Sequence, residues 1–281
     1  MTSTIPYSTA ADKANHDWSK TAPTYADNVG RTSAMSASRL VELAHGLSRI
    51  TGDSTALDVG AGAGAVTFAI ASSFPWTQIL AADVSSTMLE DIAASQLPTV
   101  TTQVLDARSL TKKLQKESFT HVFSTFMLQT IRTPLFALQE MHAILAPGGV
   151  VGIGLWGQRN GPFEIWEEAA RSVVPGYTLP TPFDDPNAWR TREELENALK
   201  EVGFEDVSSE EVKMPFEFDT AKSFVEFWFQ AKNPASERCM SNYEGSIEYA
   251  REAVERLVRE QYENGKDICT WAILGVGKKQ G

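Results

Sequence analysis

The chain has 281 residues, 42% of them apolar, which is enough for one large core and short for two independent domains, so a single domain carrying an insertion is expected. A formal charge of −11 and a pI near 4.9 argue against a nucleic-acid partner, because each phosphate contact requires Lys or Arg that the surface lacks in net terms. Cys239 and Cys269 are the only cysteines, too few for a disulfide framework and not in a Cys-x-x-Cys pair, so a reducing, cytoplasmic compartment is expected.

The first twenty residues show neither the basic start nor the apolar run of a signal peptide, and no stretch reaches the ~18 continuous apolar residues of a membrane span. The mature protein is therefore expected to begin near Met1. Residues 35–50 place Leu40, Leu43, Ala44, Leu47 and Ile50 on one helical face. Short apolar runs at 55–60, 78–84, 101–107, 120–126 and 150–156 then alternate with helical segments at 65–74, 86–96 and 134–145, the pattern of a parallel α/β sheet with right-handed crossovers. In such sheets ligands bind beyond the carboxyl ends of the strands. Function is thus expected in the loops after Val59, Ala82, Leu105, Ser124 and Leu155.

From Gly157 to about Arg190 the rhythm gives way to a segment rich in proline and aromatics, expected to be an insertion over the active face. Residues 191–204 read as a helix opened by a Thr191/Glu194 capping box and stopped by Gly203. A strand at 205–218, an aromatic helix at 221–230 and an amphipathic helix at 246–262 follow. The last strand, 267–279, suits an antiparallel partner closing the sheet.

The segment Leu57 to Gly64 (LDVGAGAG) lies between a strand and a helix, where Gly60, Gly62 and Gly64 let the backbone turn sharply and lie against a ligand. Gly60 to Ala65 also satisfies the dinucleotide pattern Gly-x-Gly-x-x-Gly/Ala. Asp58 favours another ligand, because a carboxylate there repels a pyrophosphate and attracts the ammonium and sulfonium of a methyl donor. Asp83, ending the second strand, can accept both ribose hydroxyls. Asp106, followed by Ala107, can accept an adenine amino group or cap the next helix. Pro147-Gly148-Gly149 is expected to form a tight turn into the fifth strand.

In these residues the chain resembles the class I S-adenosylmethionine-dependent methyltransferases. It is similar to the ubiquinone/menaquinone-biosynthesis type, and within that type to the fungal secondary-metabolite branch that includes thiol methyltransferases acting on gliotoxin-like dithiols. The resemblance covers roughly residues 15–156 and, more loosely, the final strand pair. It implies a Rossmann-like seven-stranded sheet with helices on both faces and a helical lid insertion. The implied division is an N-terminal segment (1–34) over the donor, a donor-binding core (35–156), a lid (157–190) and a C-terminal completion of the sheet with added lid helices (191–281). It implies S-adenosylmethionine as cofactor, S-adenosylhomocysteine as product, and a donor site of Trp18, Tyr25, Asp58, Gly60, Ala61, Gly62, Asp83, Val84, Met88, Asp106, Ala107, Ser124 and Thr125. One departure is Thr120-His121 at the start of the fourth strand, where the family usually has an acid. That end of the strand is remote from the donor.

For the acceptor, the aromatic residues after the fifth strand point to a small, partly apolar molecule. Phe126, Trp156, Phe163, Trp166, Phe227 and Trp228 are the candidate contacts. His45, His121 and His142 are badly placed for base catalysis, and only His16 could fold over the donor. An acceptor that ionises readily therefore fits best, and a thiol is the expectation. O-, N- or C-methylation of an aromatic or quinone-like metabolite is the alternative, and an NADP-dependent oxidoreductase or a non-catalytic donor-binding regulator is the alternative of another class. No metal is expected, the protein should be a monomer or weak dimer, and its partner should be a small molecule.

Overall fold

The computed structural model describes residues 18–19, 29–180, 189–230, 234–264 and 266–281. In chain order these form α1 (Arg31–Leu47), β1 (Thr55–Val59), α2 (Ala65–Ser73), β2 (Gln78–Asp83), α3 (Glu90–Ala94), β3 (Val100–Val104), β4 (Phe119–Thr125), α4 (Pro134–Ile144), β5 (Leu145–Asn160), α5 (Gly161–Val173), α6 (Arg192–Val202), β6 (Phe204–Pro215), α7 (Ala221–Gln230), α8 (Pro234–Met240), α9 (Ile247–Glu263) and β7 (Cys269–Lys279). The strands make one seven-stranded sheet in the order β3-β2-β1-β4-β5-β7-β6. β1 to β5 are mutually parallel, and β7 inserts antiparallel between β5 and β6. The strand order reverses at β1, which places the loops after β1 and β4 at the crevice where open α/β sheets take their ligands.

Both faces of the sheet are covered. On one, Leu57, Val122, Leu138, Met141, Ile153 and Leu199 pack α4 and α6 against the strands. On the other, Leu40, Val41, Ala44, Ile70, Phe123 and Leu274 join α1 and α2 to them. Strands buried on two sides read as continuous apolar runs, as in β1, β2, β4 and β5, whereas β3, at the sheet edge, is largely exposed. A third cluster, around Trp166, Phe224, Trp228, Val254 and Ile268, gathers α5, α7 and α9 into a helical layer where β5 and β6 end and β7 begins. Trp166 anchors this layer. Its ring meets Trp228, Tyr177, Phe229 and Tyr243, and its Nε1–H donates to the Tyr177 hydroxyl at 2.8 Å.

Several boundaries differ from expectation. α1 starts at Arg31, because Thr32, Ser33 and Ser36 are small enough to be buried against neighbouring chain and hide the apolar stripe in its first turns. The segment 86–96 is a 3-10 turn (Thr87–Leu89) followed by only five helical residues. β5 begins directly after α4, and Pro147-Gly148-Gly149 forms a bulge within it, not a separate turn: Phe119 pairs with Leu145 and His121 already with Val150. The expected insertion contains α5, whose Pro162 sits in the first helical turn, where its missing N–H is harmless. α8 also lay outside the reading. The capping box at Thr191/Glu194 and the left-handed Gly203 frame α6.

Candidate functional site

A cavity of about 580 Å³ opens at the carboxyl ends of β1, β2, β3 and β4. Its floor is the loop from Gly60 to Gly64, with φ of +71°, +55° and +91° at Gly60, Gly62 and Gly64. These left-handed conformations favour glycine on backbone grounds. A Cβ on Gly60 would lie 2.6 Å from the Met127 side chain, and one on Gly64 would lie 2.8 Å from Ile92 and Phe68. The space these two glycines protect is thus filled by the protein's own side chains, a correction to the expectation that a ligand fills it.

The loop is tied to β2. Ala82 O accepts the N–H groups of Gly60 and Ala61 at 2.8 and 2.9 Å. Asp83 accepts the Gly62 N–H on Oδ2 (3.0 Å) and the Ser85 N–H on Oδ1 (2.9 Å). Burial raises the Asp83 carboxyl above its ordinary pKa, and these backbone donors oppose the shift. A carboxylate has about four acceptor sites, so capacity remains for a ligand's adjacent hydroxyls.

Of the residues expected around the donor, Trp18, Gly60, Ala61, Gly62, Asp83, Val84, Met88, Asp106, Ala107 and Thr125 line this cavity, and so does Phe126. Asp106 is already engaged. It caps the following turn through the Arg108 N–H and holds the Arg108 guanidinium with both oxygens, at 2.9 and 2.8 Å. Asp58 and Ser124 do not line the cavity. Asp58 is 1% exposed, and its Oδ2 accepts both the N–H and the Oγ1–H of Thr67 at 3.0 and 2.7 Å. Direct ligand contact by Asp58 is therefore corrected to a place beneath the glycine loop, clamped to α2. Ser124 is buried in β4. Tyr25 and His16 lie outside the described residues.

The acceptor residues divide as well. Phe126, at the end of β4, takes φ +59° and stacks on Trp156 with ring centroids 3.8 Å apart. A bulky residue held in this conformation is a form of local strain that concentrates at binding sites. Trp156 backs Phe126 without lining the cavity. Phe163, Trp166, Phe227 and Trp228 belong to the helical layer's own core, with Phe163 and Trp166 packed on Trp228 at 5.9 and 6.1 Å. They are corrected from acceptor contacts to packing residues, since apolar rings cluster with each other whenever helices supply a dry interior.

Sequence reasoning missed the opposite wall. It is built by Gly30, Arg31, Ser33, Ala34 and Ser38 of and just before α1, facing Ala65, Phe68, Ala69 and Ser72 of α2, with Met127, Thr130 and Ile131 beyond β4. The available signal is the small-residue face of α1, Ser33, Ala34 and Ser38, which an apolar stripe does not reveal.

The described histidines all sit away from this cavity. His121 bonds Ser48 O and the Thr120 hydroxyl, and burial lowers its pKa. Burial and the nearby Lys279 lower that of His142, which packs edge-on against Phe204. His45 accepts the Ile50 N–H and stacks on Phe74. Among the described residues no group of three or more His, Cys, Asp or Glu is placed to hold a metal ion, and no helix is long and apolar enough to cross a membrane.

Comparison with known proteins places this geometry. Residues 57–153 match the family described as "Methyltransferase domain". A trans-aconitate 2-methyltransferase from Methylobacterium radiotolerans is 31% identical over 98 residues, 35% of this chain and 36% of that protein, so the match spans about a third of the curated relative's length. Among solved structures, the YcgJ protein of Bacillus subtilis superposes with a TM-score of 0.56 at 16% identity, over 86% of this chain and 99% of that one. Phosphoethanolamine N-methyltransferase 2 of Haemonchus contortus, in complex with phosphomonomethylethanolamine and S-adenosylhomocysteine, superposes with a TM-score of 0.51 at 19% identity, over 86% of this chain and 52% of that one. The chain therefore has the Rossmann-like methyltransferase fold, and its strand-end cavity is lined mainly by the segment that matches the methyltransferase-domain family, together with Trp18 and residues of and just before α1.

Proposed function

We propose that the protein is an S-adenosylmethionine-dependent methyltransferase acting on a small molecule. The observation that carries this reading is the meeting of the Gly60–Gly64 loop and the Asp83 carboxylate in one cavity, with room within the usual range for a small-molecule site. The residues present fit the donor. Asp83 retains acceptor capacity for a ribose, Met88 and Val84 give an apolar wall for a purine, and Thr125 and Phe126 stand at the sheet's switch point. When bound, the donor supplies a methyl group on a sulfonium that is already activated. The protein's task is then to align the acceptor and exclude water, for which Phe126, stacked on Trp156, offers a rigid surface lining the cavity.

The matched family and the relative's name support the reading, as does the solved fold neighbour holding S-adenosylhomocysteine. Calorimetric titration with S-adenosylmethionine, S-adenosylhomocysteine and NADPH tests it. Binding of the first two is expected; binding of NADPH alone would return the protein to the oxidoreductase class. Once ionised, Asp58, buried below the loop with its carboxyl pushed up to about 7, adds negative potential favouring a cationic ligand over a pyrophosphate.

For the acceptor we propose a thiol, of the dithiol secondary-metabolite kind, because no described histidine reaches the cavity and a thiol ionises without a strong base. The relative's name adds a carboxylate as a second candidate. A screen of matched thiol, phenol, amine and carboxylate acceptors on one scaffold, followed by mass spectrometry, separates them, and transfer to the phenol or amine alone would defeat both. A cytoplasmic monomer or weak dimer acting without a metal completes the proposal.

A further inference from the structure

The charges around the cavity are unevenly committed. Among the described residues its ionisable lining comprises Asp83, Asp106, Arg108 and Arg31. Arg108 is spent on Asp106 through a bidentate pair whose side chains are only 12% and 18% exposed. Asp83 takes backbone N–H groups from the donor loop. Arg31 stands at the start of α1, and its ion pair among the described residues is a long contact, 3.7 Å, to Asp219 on the segment between β6 and α7, with side chains 62% and 84% exposed. An exposed pair of this length contributes little and is readily exchanged for a better anion.

We propose that Arg31 is the counter-ion of the methyl acceptor, which binds as an anion, a thiolate or a carboxylate. The assignment rests on the methyltransferase reading for the identity of the donor. Among the described residues two positive and two negative side chains line the wall, and a donor carrying a sulfonium, an ammonium and a carboxylate adds one net positive charge. An anionic acceptor completes the balance. The acceptor's lone pair forms the new bond to the methyl carbon while the carbon–sulfonium bond breaks and its electron pair stays on sulfur. A cation and an anion become two neutral groups, and no proton moves in the step. This removes the need for a base in the cavity, because the acceptor's proton is lost to solvent before binding. A guanidinium also lowers the pKa of a thiol beside it. Arg31 thus selects acceptors by charge, and Asp219 competes for it from the edge of the helical layer.

The test uses the full-length protein saturated with S-adenosylhomocysteine and reads binding by calorimetry, so it stands apart from turnover. The probes are phenylacetate and benzenethiolate at a pH where both are ionised, against the neutral matches phenylacetamide and thioanisole. At least one anion is expected to bind about tenfold tighter than its neutral match, as a charge-assisted contact implies. Arg31→Gln should erase that preference, Arg31→Lys should retain most of it, and Asp219→Asn should increase it. Preference for phenylacetate alone assigns a carboxylate, and for benzenethiolate alone a thiolate. The inference is overturned by equal binding of anions and neutral matches in the wild type, by a preference that survives Arg31→Gln, or by a loss of S-adenosylhomocysteine affinity in Arg31→Gln, which would give Arg31 to the donor's own carboxylate. A protein that prefers anions through Arg31 yet transfers no methyl group would end the reading above and leave Arg31 as an anion site of the cavity, with no methyl acceptor to assign to it.

Discussion

Gln129 holds Trp156 by both of its backbone polar groups, accepting the Trp156 N–H on Oε1 at 2.7 Å and donating from Nε2 to the Trp156 carbonyl at 2.8 Å. The same Nε2 donates to the Trp189 carbonyl at 2.7 Å. Pairing between β4 and β5 ends at Thr125 and Gly154. A side-chain amide thus continues the ladder past the point where β4 turns away, and it fixes the tryptophan on which Phe126 stacks.

Replacing Gln129 with Leu keeps the volume and leaves three backbone groups short of a partner. Gln129 is 1% exposed, so the loss should approach the range for buried unsatisfied groups, about 2–4 kcal/mol in all. Thermal unfolding should show a clear fall in Tm, with weaker acceptor discrimination because the Phe126–Trp156 wall loosens. An unchanged Tm would mean that the amide bonds add nothing beyond packing.

Asp83→Ala removes the acceptor that steadies Gly62 and faces the cavity. Donor affinity should fall about 10- to 150-fold, the equivalent of ~1.5–3 kcal/mol for a hydrogen-bonded charge. Asp58→Ala, acting only through the loop above it, should weaken the donor less than Asp83→Ala does. Calorimetry on both variants checks the ranking, and the reverse order would put Asp58 in direct contact after all.

Much of this was legible in the chain itself. The buried parallel strands carry apolar runs separated by helical segments, so their order of appearance and even the final antiparallel strand could be read, with the exposed edge strand β3 following from its place in that alternation. The glycine loop and the acids Asp83 and Asp106 announced themselves by chemistry at strand ends. What escaped was decided by three-dimensional packing. Nothing local distinguishes Trp166, 0% exposed inside its own helical layer, from an aromatic facing a ligand. Nor does an Asp two residues before a glycine say whether its carboxylate points into the cavity or down onto Thr67. Arg31 carries no motif, and its importance follows only from the commitment of Arg108 elsewhere.

Gly60→Ala tests the backbone argument. With φ at +71° and Met127 Cγ 2.6 Å from the new Cβ, both strain and collision oppose the substitution. Stability and donor affinity should both drop. Adding Met127→Ala should recover part of the loss, since it removes the collision and leaves the φ strain. Full recovery in the double variant would show that the left-handed conformation is dispensable.

The buried Asp58 predicts an unusual pH response. Burial pushes its carboxyl up to about 7 from a usual 3.8; the two Thr67 hydrogen bonds oppose this, and the Asp83 charge reinforces it. One oxygen, Oδ1, has no hydrogen-bond partner among the described residues. In the unfolded chain the group releases its proton near the ordinary carboxylate value, whereas the folded protein keeps it until about pH 7. Between these limits the native state binds more protons, so the Asp58 contribution to stability is full below about pH 4 and falls as pH rises towards 7. Other acids, such as Glu194 and Glu210, whose partners hold their pKa down, slope the opposite way. The informative quantity is therefore the difference between wild type and Asp58→Asn, which lacks the titration. Denaturant unfolding should find the two closest near pH 4, with the Asn variant gaining progressively up to about pH 7, by about 2–4 kcal/mol on the linkage scale. A cationic donor favours the ionised carboxylate, so its binding should release protons and tighten as pH rises from 6 to about 8, more in wild type than in the variant. A stability difference that stays flat across this range would mean that Asp58 is ionised throughout and held by a partner other than Thr67.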